Sequence, residues 1–323
     1  MTKPKLCVTR KWPAAVEKRL HDLFDVTLND TDTPFDKATF VSAFQDYDVI
    51  LPTVSDQIPP EAYNAPNLRV KLLANFGVGY NHIDIDAAHQ TGITVTNTPG
   101  VLTDCTADIA MGLLLSAARR IGEGEREVRS DNWFGWCPTH MMGAKVTGAT
   151  LGIIGFGRIG QAMAHRAHHG FGMNVIFQNR SKVAAEICAR TNATQVDTVA
   201  DVMAASDFVS LHCPGGQAKP IVNAAALAAM KPSAYLINTA RGDVVDELAL
   251  TAALKEGRIA GAGLDVFAAE PNMPVELKEL QNVVLAPHLG SATLETREAM
   301  GHMATDNAIA FFAGDTPPNV VSL

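Results

Sequence analysis

Thr150-Leu151-Gly152-Ile153-Ile154-Gly155-Phe156-Gly157-Arg158-Ile159-Gly160 is the stretch that decides how this chain folds. Its first five residues are mostly apolar and branched, as in a buried strand, and they run without a spacer into a Gly-x-Gly-x-x-Gly turn. Ile159, Met163 and Ala167 then recur at helical spacing until Gly170 offers a stop, and residues 174–177, Asn-Val-Ile-Phe, carry the pattern of a second strand. Together these make a βαβ unit. In such a unit Gly155 permits the tight turn, Gly157 lets the backbone approach a pyrophosphate, and Gly160 lets the helix pack closely on the strand. Arg158 and Ile159 open the helix, whose N-terminal amides face the phosphate charge. The motif alone says little in a chain with 25 glycines. Its place between a strand and a helix points to a dinucleotide rather than to a turn without a ligand.

The end of the second strand selects the dinucleotide, because an acidic side chain there would grip the ribose 2′-hydroxyl of NAD and repel a 2′-phosphate. This chain has Asn179, Arg180, Ser181 and Lys182 at that place. An amide, a guanidinium, a hydroxyl and an ammonium can each hydrogen-bond a phosphate, so NADP(H) is the expected cofactor and NAD(H) stays open as a second. The plainer reading of Arg180 and Lys182 is a solvated opening of the next helix.

A chain of 323 residues exceeds one ordinary core, which favours two domains. With 26 basic against 34 acidic residues the net charge is −8, so neither nucleic acid nor an anionic membrane is an expected partner, although a local basic site for an anionic ligand is compatible with it. The five cysteines, Cys7, Cys105, Cys137, Cys188 and Cys213, are far apart and include no C-x-x-C pair, which argues against a disulfide framework and a zinc site. No metal is expected. The opening Met1-Thr2-Lys3-Pro4 leads straight into a strand pattern, and the longest apolar run, residues 109–118, is too short to span a bilayer. A cytoplasmic protein is the expectation.

Before the glycine turn, strand patterns at residues 6–8, 26–28, 49–51, 71–74 and 94–97 alternate with helical ones at 13–21 and near Ile85. After it, strands are expected at 193–196, 208–211, 235–238, 262–266 and 283–285, with a helix at 247–256 and a closing helix at 294–312. Such alternation implies parallel sheets covered on both faces, with ligands beyond the carboxyl ends of the strands. After the strand at Leu72 come Asn75-Phe76-Gly77-Val78-Gly79, where two glycines would let the Val78 and Gly79 amides point at an anion, as in a nest; a simple turn is the alternative. A helix at 104–120 connects the two regions. Beyond it, residues 122–143 are rich in charge and then in aromatics, with Trp133, Phe134 and Trp136, which suggests a protein interface or else a locally packed loop.

The later strand ends bear His212-Cys213-Pro214, Thr239-Ala240-Arg241-Gly242, Asp265 followed by Glu270, and Pro287-His288-Leu289-Gly290. In a parallel sheet all of them share the rim of the glycine turn. Singly, Arg241 could be a structural ion-pair partner, Glu270 a residue opening a helix and His288 a satisfied loop histidine. Jointly they suit hydride transfer to a 2-oxo acid, which needs a cation for the carboxylate and a proton donor for the carbonyl oxygen.

Here the sequence resembles the D-2-hydroxyacid dehydrogenases, and within them the glyoxylate/hydroxypyruvate reductase branch. Residues 75–84, 97–100, 151–180, 237–243, 264–271 and 286–293 look like that family's signatures in its order. The resemblance implies two doubly wound parallel-sheet α/β domains, a Rossmann nucleotide domain (residues 100–290) inserted into a flavodoxin-like substrate domain (1–99 and 291–323). It implies Arg241 as substrate holder, Glu270 as the group that orients and charges His288, and His288 as acid/base, with Val78 and Gly79 binding the carboxylate through their amides. Asp265 would hydrogen-bond the nicotinamide carboxamide with Thr239 and Gly290 nearby, and Cys213-Pro214 would border the adenine side. Residues 120–143 resemble the family's arm for homodimerisation, in which the neighbourhood of His140 and Met141 reaches the partner. Two departures stand out: Asn179 replaces the Asp common in NAD-using relatives, and Cys213-Pro214-Gly215-Gly216 lacks their Leu-Thr-Pro continuation. The same fold also serves in a nucleotide-sensing corepressor, which retains the Arg, Glu and His and is the alternative reading.

Overall fold

The computed structural model describes residues 3–322. They form two compact units, one from the residues up to Leu102 together with those from Ala292 onward, the other Thr103–Ser291. The chain leaves the first unit slightly later than the expected 99/100 division, because the connecting helix starts at Thr103 and the residues before it still belong to the first sheet's surroundings.

The first unit is built on five parallel strands, β1 (Lys5–Val8), β2 (Asp25–Thr27), β3 (Val49–Leu51), β4 (Leu72–Ala74) and β5 (Thr94–Thr96), in the order β2-β1-β3-β4-β5. This is the doubly wound order of the flavodoxin type. β3 and β4 are buried along their whole length, which is why they read as unbroken apolar runs and not as alternating ones. The strand period of two sorts their side chains: Leu6, Val8, Val49, Leu51 and Leu72 pack with Val16 and Leu20, whereas Ile50 and Leu73 pack with Phe40, Phe44 and Tyr63. The closing helix Leu294–Ala313 returns to the first face through Ala304 and Ala308. Its Gly301 lies so close to Val16 that a Cβ would sit 2.7 Å from the valine side chain.

The second unit carries seven parallel strands, β6 (Thr150–Ile154), β7 (Asn174–Gln178), β8 (Thr194–Gln195), β9 (Phe208–Leu211), β10 (Tyr235–Asn238), β11 (Gly261–Leu264) and β12 (Val283–Leu285), in the order β12-β11-β10-β9-β6-β7-β8. From β6 the chain winds outward through β7 to β8, then crosses back to place β9 on β6's other side, so the strand order reverses between β6 and β9. That switch point opens a crevice at the carboxyl ends of the strands. Helix Thr103–Ala118 covers one face, with Leu113 and Leu114 buried beside Ile153, Phe208 and Ile237. Full burial of one such leucine stabilises the unit by about 1.5–3 kcal/mol. Gly263 of β11 admits that helix, since a Cβ there would meet Leu113 at 2.9 Å.

The structure departs from the sequence reading in several stretches. The connecting helix stops at Ala118, not 120, because Arg120 takes a left-handed φ of 55° and caps a further helix, Ile121–Arg129, inside what reads as a charged excursion. That helix is tied by the ion pairs Arg120–Glu123 and Arg129–Glu125 rather than by a buried face. The helix after the glycine turn runs Arg158–His165 and then widens into a π-helical turn, Arg166–Gly170. At the sheet edge only Thr194 and Gln195 pair as β8, where four residues were expected, and β11 stops at Leu264, leaving Asp265 just past the strand end. No helix among the described residues is long and apolar enough to cross a membrane.

Candidate active site

Three glycines shape the turn after β6, each for its own reason. Gly155 adopts φ 90°, its amide donates to Gln178 O at 3.0 Å, and a Cβ there would strike the Cys213 amide nitrogen at 2.6 Å. A Cβ on Gly160 would lie 2.3 Å from Gly155 O, so the helix can pack there only on a glycine. Gly157, the helix N-cap, faces open space within 4 Å. Closed contact at the first and third glycines and free room at the second fit a diphosphate laid against the helix N-terminus. Phe156 stacks on Phe177 at 3.8 Å, seating the turn on the core.

At the end of β7, Asn179 does not project freely into the crevice. Its Oδ1 accepts the Phe156 amide at 3.3 Å, and its Nδ2 donates to Ser181 O at 3.1 Å and Ser181 Oγ at 3.3 Å. Arg180, Ser181 and Lys182 follow as an exposed, cationic loop. Arg180 is close enough to Cys213 to oppose the burial that pushes that thiol up to about 11, so Cys213 is a neutral thiol at this end of the crevice. Its neighbour His212 is buried and pushed down to about 4 by loss of hydration; its Nε2 shares a hydrogen bond with Ser210 Oγ at 2.9 Å.

Arg241 is presented by Asn238, the last residue of β10, whose Nδ2 donates to Arg241 O at 2.9 Å while its Oδ1 accepts the Ala240 amide at 3.0 Å. Burial pulls the Arg241 guanidinium below its ordinary pKa, against the opposing charges of Glu270 and Asp243. The adjoining Thr239 Oγ1 is buried and has no hydrogen-bond partner among the described residues, an orphan hydroxyl at the strand end.

His288 and Glu270 meet directly. Nδ1 of His288 lies 2.8 Å from Glu270 Oε2, and Glu270 Oε1 accepts the Phe267 amide at 2.9 Å. Burial acts to raise the Glu270 carboxyl, but the hydrogen bond and charge of His288, the Phe267 amide and Arg241 outweigh it and hold the group below the usual carboxylate range. A carboxylate accepts only, so Nδ1 is the donor in this pair, and Nε2 is left as the ring nitrogen able to exchange a proton.

Asp265 has a part that its place in the sequence does not disclose. It is only 1% exposed, and its two carboxylate oxygens accept the amides of Leu289 at 2.6 Å and Gly290 at 2.8 Å, while its carbonyl accepts the His288 amide at 2.9 Å. These bonds hold His288 at φ 56°, a left-handed backbone that costs a non-glycine residue about 1–2 kcal/mol. Thr106 Oγ1 donates to Gly290 O at 2.9 Å and closes the same turn. Burial pushes the Asp265 carboxyl up, against the two amides and His288.

In the first unit, Val78 and Gly79 sit in a loop wired by Asn75, whose Nδ2 donates to Gly77 O and Gly79 O, each at 3.0 Å. Neither Gly77 nor Gly79 takes a positive φ. Gly77 is needed for space instead, because a Cβ would meet Val54 Cγ1 at 2.7 Å. The Val78 and Gly79 amides donate to no group among the described residues. Asn75 and Asn238 are the same device used twice, a strand-end amide folding the following turn, and the signal for it was an Asn directly before a glycine-containing loop. In the arm, His140 pairs with Glu127 of its own chain at 3.0 Å and stands beside Phe134 at 5.5 Å.

An NAD(P)-type crevice with a His–Glu pair and an arginine on its rim defines a nucleotide-dependent dehydrogenase. Residues 111–290 match the family described as D-isomer specific 2-hydroxyacid dehydrogenase, NAD binding domain. The chain is 46% identical to the glyoxylate reductase of Thermococcus litoralis over 99% of its own length and 97% of that protein. It is 38% identical to the glycerate dehydrogenase of Hyphomicrobium methylovorum, over 97% and 98% respectively. Its structure is similar to that of the NADPH-dependent glyoxylate/hydroxypyruvate reductase of Sinorhizobium meliloti in complex with NADP and malonate, with a TM-score of 0.88 at 35% identity, covering 99% of this chain and 97% of that one. The chain belongs to the D-isomer specific 2-hydroxyacid dehydrogenase family and is an NAD(P)-dependent oxidoreductase.

Proposed function

We propose that this protein reduces small 2-oxo acids, glyoxylate and hydroxypyruvate, to D-2-hydroxy acids, using NADPH in preference to NADH. The observation that carries the reading is the 2.8 Å contact between Glu270 and His288 Nδ1, which commits the other ring nitrogen, Nε2, to proton transfer on a rim shared with Arg241. A reduced nicotinamide, when bound, supplies the hydride. The glycine turn with Arg158 and Ile159 would hold the diphosphate, and Arg180, Ser181 and Lys182 the 2′-phosphate. Cys213 and Pro214 would border the adenosine, and Thr239, Asp265 and Gly290 would serve the nicotinamide side. Asp265 already accepts two backbone amides, so its main effect there is to shape the turn.

His288 donates its Nε2 proton to the carbonyl oxygen as negative charge develops, and Glu270 stabilises the imidazolium that donates it. Arg241 neutralises the substrate carboxylate, a charge-assisted contact that its own partial burial strengthens. The amides of Val78 and Gly79, which donate to no group among the described residues, would bind a carboxylate. In the oxidative direction the neutral imidazole removes the hydroxyl proton.

We assign the arm to homodimerisation, because Phe134 and Trp136 are 77% and 84% exposed in the single chain. A cytoplasmic location accords with five cysteines that are far apart in sequence and include no C-x-x-C pair. The nucleotide-sensing scaffold keeps the same Arg, Glu and His, so turnover of NADPH with glyoxylate is what separates it from this reading. Initial rates with glyoxylate, hydroxypyruvate, pyruvate and phenylpyruvate, each with NADPH and NADH, test the proposal. The first two with NADPH should give the highest kcat/KM, and turnover of none of them would refute it.

A further inference from the structure

A chain of amides links the glycine turn to the loop after β7. Asn179 accepts from the Phe156 amide and donates to Ser181 O at 3.1 Å. From the edge strand β8, Gln195 reaches the same loop: its Nε2 also donates to Ser181 O at 3.1 Å, and its Oε1 accepts the Val183 amide at 3.0 Å. Gln195 therefore grips the backbone on both sides of Lys182, and the Ser181 carbonyl has both lone pairs filled. The loop has no regular structure of its own, and neither Arg180 nor Lys182 makes an ion pair among the described residues. With those side chains unrestrained, the loop's shape rests on this double clamp. β8 is only two residues long, and one of them spends its whole side-chain amide on the loop.

We infer that Gln195 is a specificity-determining positioning residue, which fixes Arg180, Ser181 and Lys182 for the 2′-phosphate without touching the cofactor itself. The inference rests on the proposed 2′-phosphate reading of this loop. Donors that are already placed bind without a further ordering cost, and a loosened loop must be ordered by the ligand. Only ligands carrying the 2′-phosphate pull on that loop, so only they should register the loss. The clamp also gives Asn179 a second reason to be an amide. A carboxylate there could still accept from Phe156 but could not donate to the Ser181 carbonyl.

The test uses the protein without cofactor and two variants. Gln195→Met removes both bonds at nearly constant volume, and Gln195→Glu keeps acceptance from Val183 while losing donation to Ser181. Calorimetric titration with 2′,5′-ADP and with 5′-AMP should show Gln195→Met weakening the first by about five- to tenfold and the second by less than about twofold, the scale of one or two neutral hydrogen bonds. Gln195→Glu should fall between wild type and Gln195→Met. Amide exchange at Val183 should accelerate in Gln195→Met and stay near wild type in Gln195→Glu, and in turnover KM for NADPH should rise while KM for NADH holds. Equal weakening of both fragments would make Gln195 merely structural, and unchanged affinity for 2′,5′-ADP would leave the clamp without effect; either overturns the inference. Should Gln195→Met not fold, the intermediate effect of Gln195→Glu decides alone. Wild-type protein that binds 5′-AMP as tightly as 2′,5′-ADP would instead overturn the phosphate reading itself, before any variant is compared.

Discussion

The carbonyl oxygen of Asp265 accepts the backbone amide of His288 at 2.9 Å, and the carboxylate of the same aspartate accepts the two amides that follow. One buried residue thus sets the backbone of the turn that carries His288, the proposed acid/base, and holds it in its left-handed conformation.

Asp265→Asn therefore should act at a distance. The asparagine offers one acceptor where two amides need one each, and its NH2 group opposes an N–H. We expect stability to fall by about 1.5–3 kcal/mol, the range for a hydrogen bond to a charged group. A shift of about 1 Å in His288 would also lower kcat by roughly ten- to a hundredfold. Chemical denaturation and steady-state kinetics measure both, and wild-type kcat in a folded Asp265→Asn protein would remove the positioning role.

Glu270→Gln keeps a hydrogen bond to His288 but removes the charge that favours imidazolium. Reduction needs the charged ring and oxidation the neutral one, so kcat for reduction should fall more than kcat for oxidation. In stability the sign follows from the lowered carboxyl of the folded state. Above the unfolded pKa of about 4.3 the stability contributed by the ionised Glu270 carboxylate is fully present, and it is lost as the pH falls through the folded value. The variant should be less stable than wild type near neutrality and lose less on acidification. Parallel pH–stability curves would show that the pair does not couple to folding.

His212 is buried and neutral, with its pKa pushed down to about 4. The unfolded chain protonates this group near 6.5 and the folded one does not, so acidification between those values favours unfolding. By pH 5 this amounts to about 2 kcal/mol for a shift of that size. Denaturation midpoints of wild type and His212→Gln at pH 7 and pH 5 should show a smaller acid loss in the variant, and equal losses would contradict the assignment.

The aromatic arm should close a dimer. Light scattering of the wild-type protein is expected to give about twice the 34.4 kDa chain mass. Placing glutamates at Phe134 and Trp136 should return it to the monomer, and a wild-type monomer with full activity would remove the arm's role.

Much of this is legible in the sequence. The glycine turn, the parallel strand order around it and the grouping of Arg241, Glu270 and His288 on strand ends follow from short-range patterns that a period of two, a period of 3.6 and a glycine spacing make visible. What could not be read were contacts made by long-range backbone geometry. Asp265 meets Leu289 and Gly290 across the sheet, and Gln195 meets Ser181 from a neighbouring strand, so no spacing in the sequence marks either pair. Helix Ile121–Arg129 was hard to read because charged residues dominate it and its two apolar residues, Ile121 and Val128, are exposed and not buried. The reason for Gly77 was not legible either: a glycine required by the crowding of Val54 looks the same in sequence as one required by a positive φ.

The most direct test of the account is the rate of NADPH-dependent glyoxylate reduction by His288→Ala beside wild type. Removing the proton donor should lower kcat by about 10² to 10⁴, the range for general acid catalysis, with NADPH affinity little changed. A His288→Ala enzyme that reduces glyoxylate at the wild-type rate would contradict it, because the Glu270–His288 contact would then have no part in the chemistry.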